Sequence, residues 1–227
     1  MRAVFGKLTY SSLRGRIADE IQDAILTGTL PKGERLVERN LASQFATSLT
    51  AVREALIELD AKGFVTKKPN CATYVIKFSP EAADQVFAFR RVVETHAVEE
   101  AARHVKPAHL ELLGKANRDL LQAAKEGDAR SYLQRDLALH ELVWQAANNE
   151  YFEIALKRVV GPFFAFTAIR LGLRQAFDLV QDAGYHLAFV DPICSHDPVA
   201  ARNAYLRALD EWSAQTTDVL GTNQVQS

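Results

Sequence analysis

Two side chains that can bind a metal ion, Asp136 and His140, lie four positions apart in the segment "DLALH". Residues four apart share one face of an α-helix, so a carboxylate oxygen and an imidazole nitrogen can act there as neighbouring ligands of a divalent cation. A third ligand must come from another helix, and His186, among apolar residues in "GYHLAFV", is the candidate. A hydrogen bond within one helix is the alternative explanation of the Asp136–His140 spacing.

The stretch "SLTAVREALIEL", residues 48–59, is the second candidate for chemistry. Ser48 is typical of a helix N-cap, and Thr50 and Arg53 follow within the first turns. A DNA-recognition helix presents those turns to base edges, and arginine can bind guanine through two hydrogen bonds. Leu49 occupies a place where a polar group is expected, and it can contact only a thymine methyl. A core helix with a solvated Arg53 face is the alternative.

These residues need a scaffold, and the N-terminal third predicts a small one. One helix ends at Gly28, a second is predicted in "GERLVERNLASQFA", and a third begins at Ser48 and ends at Gly63. The segment "FVTKKPNCATYVIKF" predicts a hairpin of two short strands around a Pro-Asn turn. Three helices followed by a hairpin predict a winged helix-turn-helix over residues 1–78.

Residues 79–227 show helical periodicity throughout. Ser79 as a cap and Pro80 in the first turn begin this part. Glycine, asparagine and proline breaks then divide it into six predicted helices between residues 80 and 220, with apolar positions every three or four residues. The predicted fold class is therefore mainly α, with a winged helix-turn-helix followed by an antiparallel six-helix bundle.

The charge distribution separates the same two parts. Residues 1–78 contain 12 Lys+Arg and 8 Asp+Glu, whereas residues 79–227 contain 15 and 20 and all six histidines. A basic module on an acidic body is typical of a DNA-binding protein, although the net charge is only −1. The most apolar charge-free run is too short to span a bilayer, the N-terminus lacks a secretion signal, and two cysteines form no disulfide framework. We therefore predict a cytoplasmic protein without membrane association.

The string "AILTGTLPKGERLVERNLASQFATSLTAVREALIELDAKGFV" resembles the winged helix of GntR-type transcription regulators. The resemblance implies that Arg39 is a second arginine contacting bases or phosphates, beside Ser48, Thr50 and Arg53. Lys67 and Lys68 then lie on the wing, where backbone phosphates are expected, or they are plain surface charge.

Three positions depart from the pattern of that family. GntR-type helices usually have arginine in the place of Leu49 and proline in the place of Ala51, and the wing tip usually has glycine in the place of Ala72. Leucine cannot donate a hydrogen bond and has no charge for a phosphate. The departure implies a different or softer sequence preference and a flatter salt dependence of DNA binding.

The helical remainder, with "RRVVE" early and "DLALH" in its middle, resembles the ligand-binding domain of the FadR-like branch of this family. That domain uses one aspartate and three histidines for a metal ion. Asp136, His140 and His186 match three of these ligands, and Ala208 stands in the place of the fourth. The resemblance implies a divalent cation such as zinc, nickel or manganese, completed by water or an effector, or else a vestigial site.

The same resemblance places Arg91 and Glu94 near an effector pocket. An arginine that points into the bundle beside a metal would bind a carboxylate through two hydrogen bonds. A buried Arg91–Glu94 pair within one helix is the alternative, and Arg170 is a weaker second candidate for the effector.

The resulting expectation is a homodimeric transcription regulator, a repressor that binds a double-stranded DNA operator and releases it when a small organic acid binds. A metal-dependent hydrolase using Asp136, His140 and His186 is an alternative. However, the neighbouring Glu141 lies about 100° away from the His140 face and is a poor general base. A dimerisation module that has lost DNA binding is the third hypothesis.

Overall fold

The computed structural model describes residues 13–67, 72–77, 79–164 and 178–221. Its N-terminal part is a winged helix-turn-helix, as predicted, with three helices and a small antiparallel sheet in the order β1-β3-β2. The elements are α1 (Leu13–Leu26), β1 (Arg35–Leu36), α2 (Glu38–Gln44), α3 (Leu49–Lys62), β2 (Val65–Lys67) and β3 (Thr73–Val75).

Helix α3 has the ends that its sequence predicts. The Ser48 side chain accepts a hydrogen bond from the Ala51 amide, and Gly63 ends the helix with φ +84°. This left-handed conformation suits glycine, because other residues are strained there. A Cβ atom at Gly63 would also come within 2.7 Å of the Arg158 carbonyl oxygen, so the end of α3 lies against the helical domain. The Arg158 guanidinium donates a hydrogen bond to the Asp60 carbonyl at the same contact.

The hairpin prediction is confirmed for both strands, since β2 pairs with β3 in the register Val65↔Val75. The predicted second helix is too long at its start. Arg35 and Leu36 form β1, which pairs with β3, because the backbone of Glu34 accepts a hydrogen bond from the Val75 amide at 2.9 Å. A backbone partner from a distant strand thus replaces the helical hydrogen bonds predicted for these residues.

The remaining described residues form the helical domain. Its first helix is continuous from Pro80 to His104 and includes one π-helical turn. The elements are α4 (Pro80–Phe89), the π-turn (Arg90–Glu94), α5 (Thr95–His104), α6 (Pro107–Glu126), α7 (Ala129–Ala146), α8 (Glu150–Val159), α9 (Leu179–Cys194) and α10 (Pro198–Gly221). With α4 to α5 counted as one, these are the six predicted helices, and residues 161–164 add one further helical turn at the edge of the described range.

The interior of the helical domain lies between α5, α6, α7, α9 and α10, which pack against one another. Large apolar and aromatic side chains fill it, among them Trp144, Tyr132, Tyr205 and Phe189. Six polar or charged groups that form the site described below, including Glu94 and His140, are buried among them. None of the helices in the described ranges is long and apolar enough to cross a lipid bilayer.

Candidate metal centre and nucleic-acid interface

The three predicted metal ligands meet in the middle of the helical domain. Asp136 and His140 lie on α7 and His186 on α9, all three are buried, and one ligand atom of each lies within 4.8 Å of the others. The Asp136 Oδ1 atom is 2.8 Å from Nε2 of His186 and 3.6 Å from Nε2 of His140. The structure therefore brings His186 to two side chains that precede it in the sequence by 46 and 50 residues.

Each imidazole is held by its other ring nitrogen. Nδ1 of His140 donates a hydrogen bond to Oε1 of Glu94 at 2.9 Å, and Nδ1 of His186 donates to the backbone carbonyl of Asp182 at 2.9 Å. Metal-binding histidines are oriented in this way, because a hydrogen bond at Nδ1 leaves the Nε2 lone pair for the metal.

The inner atoms of the cluster fit a cation. Nε2 of His140, Nε2 of His186 and Oδ1 of Asp136 are buried and make no hydrogen bond of acceptable geometry. Buried polar atoms normally have partners, and an unpaired group of this kind points to an ion or water. One carboxylate oxygen and two imidazole nitrogens are suitable ligands for zinc, nickel or manganese, so this cluster can hold a divalent metal ion.

The two histidines differ in their electrostatic environment. Burial lowers the pKa of His140 despite its bond to Glu94. Burial also acts to lower the pKa of His186, but the carboxylates of Asp136 and Asp182 outweigh it and raise this pKa to about 9. The surroundings of His186 therefore favour positive charge, which a proton or a metal ion can supply.

Asp182 belongs to this site, and the sequence analysis missed it. It lies one turn before His186 on α9 and accepts hydrogen bonds from the Tyr132 hydroxyl and, at 2.7 Å, from Nε1 of Trp212. Burial raises its pKa, against the opposing effect of His186. A carboxylate four residues before a histidine, the same spacing as in Asp136 and His140, was the available signal.

The arginine that enters the bundle is Arg90, and the prediction of Arg91 for this role is wrong. Arg91 has 48% of its side chain exposed and forms an ion pair with Asp210 on the surface. Arg90 is buried, and its Nε donates to Oε2 of Glu94 at 2.6 Å. Consecutive helical residues point about 100° apart, so only one of the two arginines can face the interior.

The buried pair therefore joins Arg90, rather than Arg91, to Glu94. Glu94 accepts two further hydrogen bonds, from His140 and, at 2.8 Å, from Nε1 of Trp144. Burial acts to raise the pKa of Glu94, but Arg90 and His140 hold it well below its usual range. Arg90 thus positions Glu94, which in turn positions a candidate metal ligand. The pair occupies the π-turn, a type of distortion that is frequent at functional sites.

A pocket opens beside the cluster. The space between the atoms that line this pocket amounts to about 510 Å³, a volume that includes open solvent. One wall is apolar and aromatic, and Gln215 and Thr216 contribute polar groups. The apolar and aromatic wall includes Phe87, Leu133, Phe163, Phe164 and Trp212.

Helix α10 supplies no ligand at the place expected for a fourth one. Ala208 is buried there, and Tyr205 and Trp212, three residues before and four after it, share its helix face. Their rings lie 6.2 Å and 5.7 Å from the His140 ring, measured between centroids. Aromatic side chains thus flank the side of the cluster where the family places a histidine.

The predicted DNA-facing residues that the structure describes lie on the surface of the winged helix-turn-helix. Ser48, Thr50 and Arg53 are exposed on the first turns of α3, and Leu49 between them is 39% exposed. The Val52 side chain on the opposite face is fully buried. The polar face of α3 is therefore accessible to solvent, which both a DNA-reading helix and a core helix with a solvated Arg53 face require.

Two further basic residues of this surface, Arg39 on α2 and Lys67 on β2, are also exposed. Lys68 and Arg170, which the sequence analysis also proposed for DNA and effector, lie outside the described residues. Arg53 is not isolated on the surface, because its Nε donates to Oε2 of Glu38 at 2.6 Å. This pair was not predicted from the sequence.

A winged helix-turn-helix with an open recognition helix, joined to a helical domain with a buried ligand site, defines a class: the two-domain transcription regulators. Residues 13–75 match the model of the bacterial regulatory proteins of the gntR family, and residues 85–211 match the model of the FCD domain. The chain belongs to the GntR family of regulators with an FCD domain. It is a DNA-binding transcription regulator, and the hydrolase alternative is wrong, because this is a family of regulators and not of enzymes.

Similar proteins agree with this assignment. The HTH-type transcriptional regulator McbR of Escherichia coli is 27% identical over 143 residues, which are 63% of this chain and 65% of McbR. A probable D-xylose utilization operon transcriptional repressor of Paenarthrobacter nicotinovorans is 29% identical over 205 residues, 90% of this chain and 88% of that protein. The solved structure of E. coli McbR/YncC has a TM-score of 0.74 at 21% identity, covering 95% of this chain and all of that one, so it shows the same fold.

Proposed function

We propose that this protein is a metal-containing repressor that releases its operator when a small carboxylate binds in the helical domain. The observation that supports it most is the set of unpaired inner atoms of Asp136, His140 and His186 beside a pocket. A regulator has use for such a site, since it needs no catalysis but must recognise a small molecule. Repressors among the similar proteins favour repression over activation.

In this proposal the three side chains hold a divalent cation, namely zinc, nickel or manganese. The absence of a histidine at Ala208 leaves a ligand position for water or for the effector. When bound, the cation supplies a Lewis acid to which a carboxylate oxygen can bind. Glu94 and the Asp182 carbonyl keep the two imidazoles oriented, and the aromatic wall limits access of water.

The effector enters the pocket beside this cluster. Arg91 does not contribute to its binding, because it lies on the surface with Asp210. Arg90 lines the pocket, but Glu94 and the Tyr205 hydroxyl already accept hydrogen bonds from its guanidinium. The metal, rather than Arg90, is therefore the group that binds the carboxylate in our proposal, with Arg170 as a further candidate.

For DNA, we propose a homodimer whose two recognition helices enter successive major grooves, so that half-sites lie about one helical turn apart. Ser48, Thr50 and Arg53 contact base edges, whereas Arg39 contacts a base or a phosphate. Lys67 and Lys68 on the wing contact the backbone. Leu49 contacts a thymine methyl in place of the hydrogen bonds that an arginine would make. We also propose that the DNA-binding domain comprises residues 1–78 and the effector-binding and dimerisation domain residues 79–227.

The test of this function uses an operator selected from a randomised duplex library by the purified protein. Fluorescence anisotropy then measures the Kd for that duplex in the presence of a panel of small carboxylates, with and without added zinc or manganese. We expect at least one carboxylate to raise the Kd about tenfold or more, the scale of a typical allosteric coupling, and only with metal present. A protein that selects no sequence at low salt would instead be a dimerisation module without DNA function.

Metal retention gives a direct prediction. After dialysis, elemental analysis should find about one divalent cation per chain in the parent protein, and a strongly reduced content in His186→Ala, because two ligands hold a cation much less tightly than three. The exposed His104, which pairs with Glu100, offers a matched control. The His104→Ala variant should retain the metal of the parent.

A variant with an added ligand should bind the metal ion more tightly than the parent does. Ala208→His adds an imidazole to the α10 face beside the cluster and should lower the Kd for zinc about tenfold or more, since even outer hydrogen-bond partners act on that scale. Ala208→Gln is the control for added size without a strong ligand. If neither the parent nor Ala208→His holds zinc, nickel or manganese, the metal assignment is wrong.

A further inference from the structure

The recognition helix has one ion pair that the DNA-binding proposal does not yet use. The carboxylate of Glu38, the first residue of α2, accepts a hydrogen bond from Nε of Arg53 on α3 at 2.6 Å. The side chain of Arg53 is 58% exposed and that of Glu38 is 27% exposed. The pair thus joins the two helices of the helix-turn-helix at the surface that is proposed to face DNA.

The contact leaves the outer part of the guanidinium available. In the described ranges, the two terminal amino groups of Arg53 make no hydrogen bond, and only Nε is engaged. Recognition of guanine needs two parallel N–H donors aimed at O6 and N7. An arginine whose Nε is already held loses less side-chain freedom on binding, so its fork is prepared for that geometry.

Apart from its contact with Arg53, the Glu38 carboxylate is unfavourable for DNA binding on this surface. Exposed ion pairs contribute little to the stability of a fold, and a negative charge close to phosphates weakens DNA binding of every sequence. A gain in base discrimination would offset this cost. The Glu38 carboxylate also contacts Arg53, which is the only proposed base-contacting side chain on α3 with two parallel N–H donors.

We infer that Glu38 is a positioning residue for Arg53, which restrains the guanidinium so that it discriminates guanine from the other bases. The inference rests on the proposed function, in which Arg53 contacts a base edge. Glu38 does not itself touch DNA in this arrangement. It lowers the affinity for all duplexes slightly and raises the ratio between the correct and the incorrect base pair.

The experiment compares Glu38→Gln with Glu54→Gln, both as the full-length protein. Glu54 is exposed on α3 and forms no ion pair in the described part of the chain, so its variant removes the same charge without touching Arg53. The probes are duplexes selected from a randomised library by the parent, and duplexes with single base-pair changes in each half-site. Both variants should bind random DNA more tightly than the parent does, because each lacks one negative charge. The increase should be similar in the two variants.

Only Glu38→Gln should lose discrimination at one base pair per half-site. A bidentate arginine contact discriminates by roughly 5- to 150-fold, and we expect this factor to fall about fivefold or more in Glu38→Gln. In an Arg53→Ala background, Glu38→Gln should cause no further loss, since the two residues act as a unit.

Three outcomes of the binding measurements would overturn the inference, and a fourth would come from unfolding. The three are unchanged discrimination in Glu38→Gln, the same loss in Glu54→Gln, and a further loss from Glu38→Gln when Arg53 is already alanine. Thermal unfolding of Glu38→Gln is the structural readout. A variant that is unfolded at room temperature would make the pair structural and equally overturn the inference. If the parent itself selects no sequence from the library, the proposed DNA function fails instead, so the two failures are distinguishable.

Discussion

Glu94→Ala should lower the free energy of unfolding by about 3–5 kcal/mol, the usual cost of breaking a buried ion pair from one side. Glu94 is completely buried and accepts hydrogen bonds from Arg90, His140 and Trp144. Its removal leaves a buried guanidinium without its counter-charge and two N–H donors without an acceptor. Chemical denaturation of the metal-free protein, with chelator present, measures the change without a contribution from bound metal.

The neighbouring pair on the surface supplies the control. Asp210→Ala removes the partner of Arg91, which follows Arg90 in the chain, and should cost less than about 1 kcal/mol because both groups are exposed. The double variant Arg90→Met/Glu94→Leu should recover part of the loss, since no charge is then buried alone. Equal effects of Glu94→Ala and Asp210→Ala would show that the buried network does not stabilise the helical domain as we describe.

Arg53→Ala should raise the Kd for the selected operator roughly 5- to 150-fold, which corresponds to the loss of one bidentate contact with guanine. The fold should be unaffected, because the side chain is 58% exposed and its contact is an ion pair with Glu38 on the surface. Binding of random duplexes should weaken much less than binding of the operator. Fluorescence anisotropy with both duplexes at one fixed salt concentration measures the difference, since affinities at different salt are not comparable.

Arg103→Ala is the matched control for the loss of one positive charge. Arg103 is an exposed arginine of the helical domain that is also held in ion pairs, with Glu99 and Glu100. Its variant should bind the operator as the parent does. An Arg53→Ala protein that is folded and keeps the operator affinity of the parent would refute the role of α3 in reading bases.

Features that depend on a few neighbouring residues could be predicted from the sequence. The N-caps Ser48 and Ser79 each accept a hydrogen bond from an amide three residues later, as the pattern indicates. Gly63 and Gly127 end their helices with positive φ. Capping is decided within one helical turn, so the sequence contains the information for it. The spacing of Asp136 and His140 on one helix face is local in the same sense.

Partners from distant segments could not be predicted in this way. Arg35 and Leu36 form a strand because β3 provides backbone partners almost forty residues later. Glu38 meets Arg53 across the turn between two helices. Such contacts depend on how the elements pack, and a local pattern does not contain that information.

Local patterns along the chain were enough to predict a basic winged helix-turn-helix, a helical domain, and three residues suited to a metal ion. The packing of the helices settled three further points: which arginine is buried, that Asp182 joins the site, and that the inner nitrogens of His140 and His186 make no hydrogen bond of acceptable geometry. These points depend on which face of a helix each residue occupies and on which helices pack against that face. A residue type states what chemistry a side chain can do, whereas the helix face and the neighbouring helices decide what it meets.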